Sequence, residues 1–257
     1  MQKIRIYLLL ITVTFFSVLI LPILAQSNNE LTISAAGSLT AVLEEIKPIY
    51  EQQNPQTTLV YNFGSSGSLQ QQIEQGAPVD VFFSAAARQM DALASKNLII
   101  TQTRRDLLSN DLVLITPTNT NIISSFTDLT KPEIQNLAIG DPGSVPAGQY
   151  AEEILTFYGI LEQVKDKLVY GRNVSQVLNF VETGNVDGGI LFLTDSKNSE
   201  RIQVVATAPP ESHSPVVYPI AVLTSSQQPE LAQEFINFLA GSEAQAIFSK
   251  YGFTTKE

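Results

Sequence analysis

The chain has 257 residues, 44% of them hydrophobic and 16% charged, with no Cys or Trp and a formal charge of −10 at pH 7. Its apolar content excludes a disordered chain, and its acidic balance argues against nucleic acid, which is held mainly by cationic contacts to phosphate. Without cysteine there is no disulfide, no thiolate metal site, no cysteine nucleophile and no cysteine to carry a lipid.

Residues 1–25 carry Lys3 and Arg5, then an apolar run, and give way at Gln26 to a polar stretch. A basic start, an apolar core and a small residue before a polar break predict a cleaved secretory signal peptide over 1–25. The apolar run exceeds the ~7–15 residues usual for a signal core, so an uncleaved anchor is the alternative. No later stretch approaches membrane-spanning length, and the exported remainder is expected to be a soluble periplasmic monomer.

Beyond the signal, residues 31–35 read as a strand, and Leu39, Val42, Leu43, Ile46 and Ile49 follow helical spacing. Pro48 is expected to kink or end that helix. Strand-like runs recur at 58–63, 79–84, 112–116, 136–140, 188–193, 203–206 and 216–223, with amphipathic stretches between them. Such alternation predicts an α/β fold of mostly parallel sheets with helices on both faces. Strand-like residues run straight into Pro117, and Pro209, Pro210 and Pro215 precede a new strand. These mark two crossings, placing one lobe at 26–112 and 215–257 and the other at 113–214.

The informative positions lie where strands hand over to helices. Four junctions are rich in small residues: Ala35-Ala36-Gly37-Ser38-Leu39-Thr40, Phe63-Gly64-Ser65-Ser66-Gly67-Ser68, Asp141-Pro142-Gly143-Ser144-Val145-Pro146-Ala147-Gly148 and Gly171-Arg172-Asn173-Val174-Ser175. A helix start offers unpaired N–H groups and a partial positive charge. Asp or Glu in the first turn usually exploits that field, yet the first acids here are Glu44, Glu74, Glu152 and Glu182. These starts are therefore open to an external anion. A serine ahead of a helix is, taken singly, an ordinary cap, and the local pattern does not identify the anion.

These junctions resemble those of the periplasmic molybdate-binding proteins of ABC-type uptake systems. The resemblance runs from about Leu31 to Phe253. It is also carried by Gln75-Gly76-Ala77-Pro78-Val79-Asp80-Val81-Phe82-Phe83-Ser84-Ala85, by Gly140-Asp141-Pro142 and by Ile247-Phe248-Ser249-Lys250-Tyr251-Gly252-Phe253. It implies a two-lobed periplasmic-binding-protein fold that closes over dehydrated molybdate or tungstate, with delivery to a membrane permease and no enzymatic activity or cofactor. It places hydroxyl and N–H contacts at Ser38 and Ser66 and backbone N–H contacts at Ala147 and Val174. The last family ligand is a tyrosine hydroxyl, and its position falls on Phe192, which has none to donate. Thr194 or a water is the expected substitute.

Other chemistries fit less well. The sole histidine, His213, formally permits a serine hydrolase, but Gly64-Ser65-Ser66-Gly67-Ser68 lacks the glycine two residues past the serine that a nucleophile elbow needs. No His/Asp/Glu cluster has cation-ligand spacing, so no direct cation ligands are expected. Asp141 before Pro142 suits a turn. Sulfate or phosphate in the same fold is the alternative ligand.

Overall fold

The computed structural model describes residues 29–197 and 199–256; the expected signal segment, 1–25, lies outside them. The chain runs β1 (Asn29–Ala36), α1 (Thr40–Gln53), β2 (Thr57–Gly64), α2 (Ser66–Glu74), β3 (Val81–Phe83), α3 (Ala87–Ser95) and β4 (Arg105–Ser109). Then follow β5 (Leu112–Pro117), β6 (Leu137–Gly140), α4 (Pro146–Phe157), α5 (Leu161–Val164), β7 (Leu168–Gly171), α6 (Val174–Glu182), β8 (Gly188–Phe192), α7 (Leu193–Ser196) and β9 (Ile202–Thr207). Last come β10 (Val217–Val222), α8 (Pro229–Leu239), α9 (Ser242–Tyr251) and β11 (Thr254–Thr255). Two sheets result, ordered β11-β4-β10-β3-β1-β2 and β7-β6-β8-β5-β9. Among the described residues, no helix is long and apolar enough to cross a membrane.

The two-lobed α/β architecture is the expected one, but each sheet is mixed rather than mostly parallel. β1 pairs in parallel with β2 and β3, and β6 with β7 and β8. In contrast, β10 runs antiparallel to β3 and β4, and β5 antiparallel to β8 and β9. Both are the first strands after the chain passes from one sheet to the other. Only Asn110 and Asp111 separate β4 from β5, so the chain goes directly from the first sheet into the second.

Strands β4, β7 and β11 do not stand out in the sequence. β4 starts with the exposed charges Arg105 and Asp106, β7 is a half-exposed edge strand, and β11 has two residues. α1 continues past Pro48 to Gln53, with Tyr50 buried beyond the proline. Burial of that last turn holds a helix that local preference would end.

Both faces of each sheet are covered. Val81 and Phe83 enter the large core shared by the two sheets, while Phe82 packs with Leu69, Met90 and Leu93 on the opposite face. Likewise Leu112 and Leu114 face the large core, while Val113 and Ile115 pack with Val177 and Val181. The two-residue period of a strand divides its apolar residues between the faces, and each buried side chain of this size contributes about 1.5–3 kcal/mol.

Helix α4 crosses the end of β6 at very close range. A Cβ on Gly148 would lie 2.0 Å from the Gly140 carbonyl oxygen. Gly148→Ala is expected to destabilise the protein by roughly 2 kcal/mol or more through overpacking against backbone. A urea melt checks this, and an unchanged midpoint would show that α4 has room to move.

Candidate anion site

Strand register sets the site. Ala36 of β1 pairs with Gly64 of β2, and Ala35 with Phe83 of β3, so three carboxyl ends lie side by side. Neighbouring strands are about 4.8 Å apart, which brings together the turns that follow them. In the second sheet, Gly140 of β6 pairs with Gly171 of β7, aligning the starts of α4 and α6. Between the two sets lies a small cavity lined by Gly37, Ser38, Ser65, Ser66, Val145, Pro146, Asn173 and Val174, with Ala36, Gly64 and Ala85. None of these carries a charge. Larger clefts, around Arg104 and Lys256 and around Glu152 and Phe157, are lined by charged side chains.

None of α1, α2, α4 and α6 has an acid in its first turn. Two starts are capped by their own chain. Ser65 Oγ accepts from Ser68 N–H at 3.3 Å, and Asn173 Oδ1 accepts from Gln176 N–H at 2.9 Å. α4 begins with Pro146 and has no side-chain cap; the N–H groups of Gly148 and Gln149 donate to the Val145 carbonyl, which leaves that of Ala147 as the first-turn donor beside the cavity. Asp141 is a turn residue: its carboxylate accepts from Gly143 N–H at 3.0 Å and from Ser144 Oγ at 3.1 Å.

Ser38, Ser66 and Val174 line the same cavity, and Ala147 lies buried next to the lining residue Pro146. Phe192 does not line it. The Phe192 ring is buried behind the cavity, 5.7 Å from the Tyr218 ring and 6.2 Å from that of Tyr150. Thr194 Oγ1 accepts from Asn110 Nδ2 at 2.8 Å. His213 stacks edge-on to Tyr150, and its Nδ1 lies 2.8 Å from the Ser214 carbonyl, so the ring is held as a loop residue. Sequence reasoning did not find Tyr218, whose hydroxyl lies 3.1 Å from Ser38 Oγ across 180 positions. Its only sequence signal is a tyrosine in an otherwise aliphatic strand.

Ser66 Oγ accepts from Ala85 N–H at 3.0 Å, which leaves its own proton free for a ligand. The two sets of turns also touch each other. Gly67 N–H donates to the Ser144 carbonyl at 2.9 Å, and a Cβ on Gly67 would lie 2.6 Å from that oxygen. The glycine is required by this close approach. Next to Tyr218, the carboxyl of Asp195 is buried, its Oδ2 meets no protein donor, and burial pushes its pKa up to about 7.

Two outcomes are expected. Gly67→Ala should weaken anion binding about tenfold by separating the two sides, a loss of ~1.4 kcal/mol, and should also lower the melting temperature of the free protein, because its Cβ meets the Ser144 backbone there. Titration and thermal melts of that variant check both effects. Asp195 holds its proton more tightly folded than unfolded, where an aspartate titrates near ~3.9. Its contribution is therefore complete below about pH 4 and lost as pH rises through about 7. Thermal melts from pH 5 to pH 8 should fall, and less steeply for Asp195→Asn.

The family model described as bacterial extracellular solute-binding protein matches residues 31–254. The Bacillus subtilis protein YvgL, provisionally named an ABC transporter substrate-binding lipoprotein, is 43% identical over 90% of this chain and 89% of its own. The molybdate-binding protein ModA of Haemophilus influenzae is 38% identical over 90% of this chain and 92% of its own. The solved Azotobacter vinelandii periplasmic molybdate-binding protein superposes with a TM-score of 0.79 at 23% identity, covering 88% of this chain and all (100%) of that one, and so shares the fold. With a family-model match over most of its length and a neutral cavity at the ends of its parallel strands, the chain belongs to the bacterial extracellular solute-binding protein family.

Proposed function

We propose that the protein captures molybdate, and tungstate with it, outside the cytoplasm and passes it to the membrane permease of an ABC transporter. The observation that carries this reading is the small neutral cavity on which Ser38, Ser66 and the starts of α4 and α6 converge. A dianion there would be held by oriented hydroxyls and N–H dipoles, which act strongly because no water competes for it. The names of the relatives at 38% and 43% identity support the ligand and the transporter, respectively.

On this reading, Ser38 and Ser66 supply hydroxyl and N–H contacts from one lobe, and Ala147 and Val174 supply N–H contacts from the other. Phe192 is an apolar wall behind the site. The lobes, 26–112 with 215–257 and 113–214, close as a hinge when the anion bridges them. Signal cleavage near Ala25 frees the remainder, which acts as a monomer without a cofactor.

Isothermal titration of the chain from Gln26 onward, with molybdate, tungstate, sulfate and phosphate, tests the ligand. One-to-one binding of molybdate and tungstate, with sulfate and phosphate silent, is expected. Ser66→Ala should weaken binding about tenfold or more, the scale of one hydrogen bond to a charged group. Heat from sulfate or phosphate alone would assign the site to that anion.

A further inference from the structure

Ser38 is the end of a chain of side-chain hydrogen bonds that starts where the chain first passes between the two sheets. Asn110 sits in that two-residue connection and is buried. Its Oδ1 accepts from Asp111 N–H at 3.0 Å, which fixes the amide orientation: the NH2 group must face the other way. That group donates to Thr194 Oγ1 at 2.8 Å and to the Tyr218 hydroxyl oxygen at 3.1 Å. Tyr218 is fully buried, and among the described residues its hydroxyl has one further hydrogen-bond partner, Ser38 Oγ at 3.1 Å.

The direction of this last bond follows from counting protons. The phenol oxygen already accepts from Asn110. If it also accepted from Ser38, its own proton would be left buried without an acceptor, a loss comparable to a whole hydrogen bond. The phenol therefore donates to Ser38 Oγ. Burial first, and then the neighbouring carboxylate of Asp195, hold its pKa well above the usual phenol value, so the proton is present throughout the physiological range. Ser38 Oγ is thereby an acceptor on its inner side, and its own proton is turned toward the cavity it lines.

We propose that Tyr218, oriented by Asn110, is a positioning residue that acts through Ser38 and makes its hydroxyl an obligate donor to the bound anion. The inference rests on the assignment of the cavity as an oxyanion site. It supplies what Phe192 does not: a tyrosine hydroxyl behind the site, used at one remove. It also sets selectivity. With Ser66 fed by Ala85 N–H and Ser38 fed by Tyr218, both hydroxyls offer protons. An anion that carries a hydrogen of its own, such as hydrogen phosphate or hydrogen arsenate, must place it against a hydroxyl that already accepts one bond, and is disfavoured there.

A double-mutant cycle in the signal-free protein tests this by titration, using whichever oxyanion the wild type binds. Tyr218→Phe keeps the ring and its packing and should weaken binding about tenfold, the scale of one hydrogen bond to a charged group. In the Ser38→Ala background the same change should have almost no effect, because the hydroxyl it orients is gone. Binding of hydrogen arsenate relative to the preferred dianion should rise in Tyr218→Phe, a shift that loosened packing alone would not produce. Should Tyr218→Phe not fold, Asn110→Ala replaces it in the cycle, with a smaller loss that also vanishes in Ser38→Ala. Equal losses in both backgrounds, or an unchanged anion ratio, would overturn the relay while leaving the oxyanion site in place. A wild type that binds none of the oxyanions would instead overturn the site assignment and the relay with it.

Discussion

An anion taken out of water loses its hydration shell, and every contact around it must then be a donor or the complex does not form. The cavity between the two sheets meets that constraint without a cation. Helix starts with no acid in the first turn face it from both sides, and the only side chains offering polar groups are hydroxyls and one capping asparagine. A lysine or arginine would attract an anion more strongly, but its own desolvation would have to be met as well. Fixed dipoles need no such compensation.

The constraint reaches outward into the fold. Parallel pairing at the ends of β1, β2 and β3, and of β6 and β7, aligns the turns that carry the donors. Close approach of backbone to backbone follows, at Gly67 against Ser144 and at Gly148 against Gly140, where a Cβ has no room. The mixed order of the sheets follows from the same arrangement. A chain that must build facing sites in two sheets passes between them, and its first strand on each arrival lies antiparallel to its neighbours. Asn110, in one of those passages, touches both Thr194 of the second sheet's helix α7 and Tyr218 of the first sheet. A group in the connection between the sheets is thus linked, through the Tyr218 hydroxyl, to Ser38 at the cavity.

Much of this was legible along the sequence, because it rests on local pattern. Alternating apolar runs gave the α/β class. Small residues at strand–helix junctions, with the first acids deferred to Glu44, Glu74, Glu152 and Glu182, marked the helix starts that the structure brings to the cavity. Less legible were β4, β7 and β11, whose short, exposed or charged stretches become strands only by pairing with a neighbour. Pro48 misled for the same reason in reverse, since burial of Tyr50 holds a turn that local preference would end.

The sequence by itself determined which backbone donors could be offered and that no carboxylate would occupy them, since capping and helix dipoles are properties of a few neighbouring residues. Only the tertiary structure decided which way the side-chain protons point. Ser38 and Tyr218 are 180 positions apart, and Ser66 receives the N–H of Ala85 from another strand's end. The direction of a hydroxyl depends on all of its partners at once, and those partners meet only when both sheets are assembled. For that reason Phe192 alone suggests a missing hydrogen bond, whereas its packing beside Tyr218 shows a tyrosine hydroxyl already in contact with Ser38.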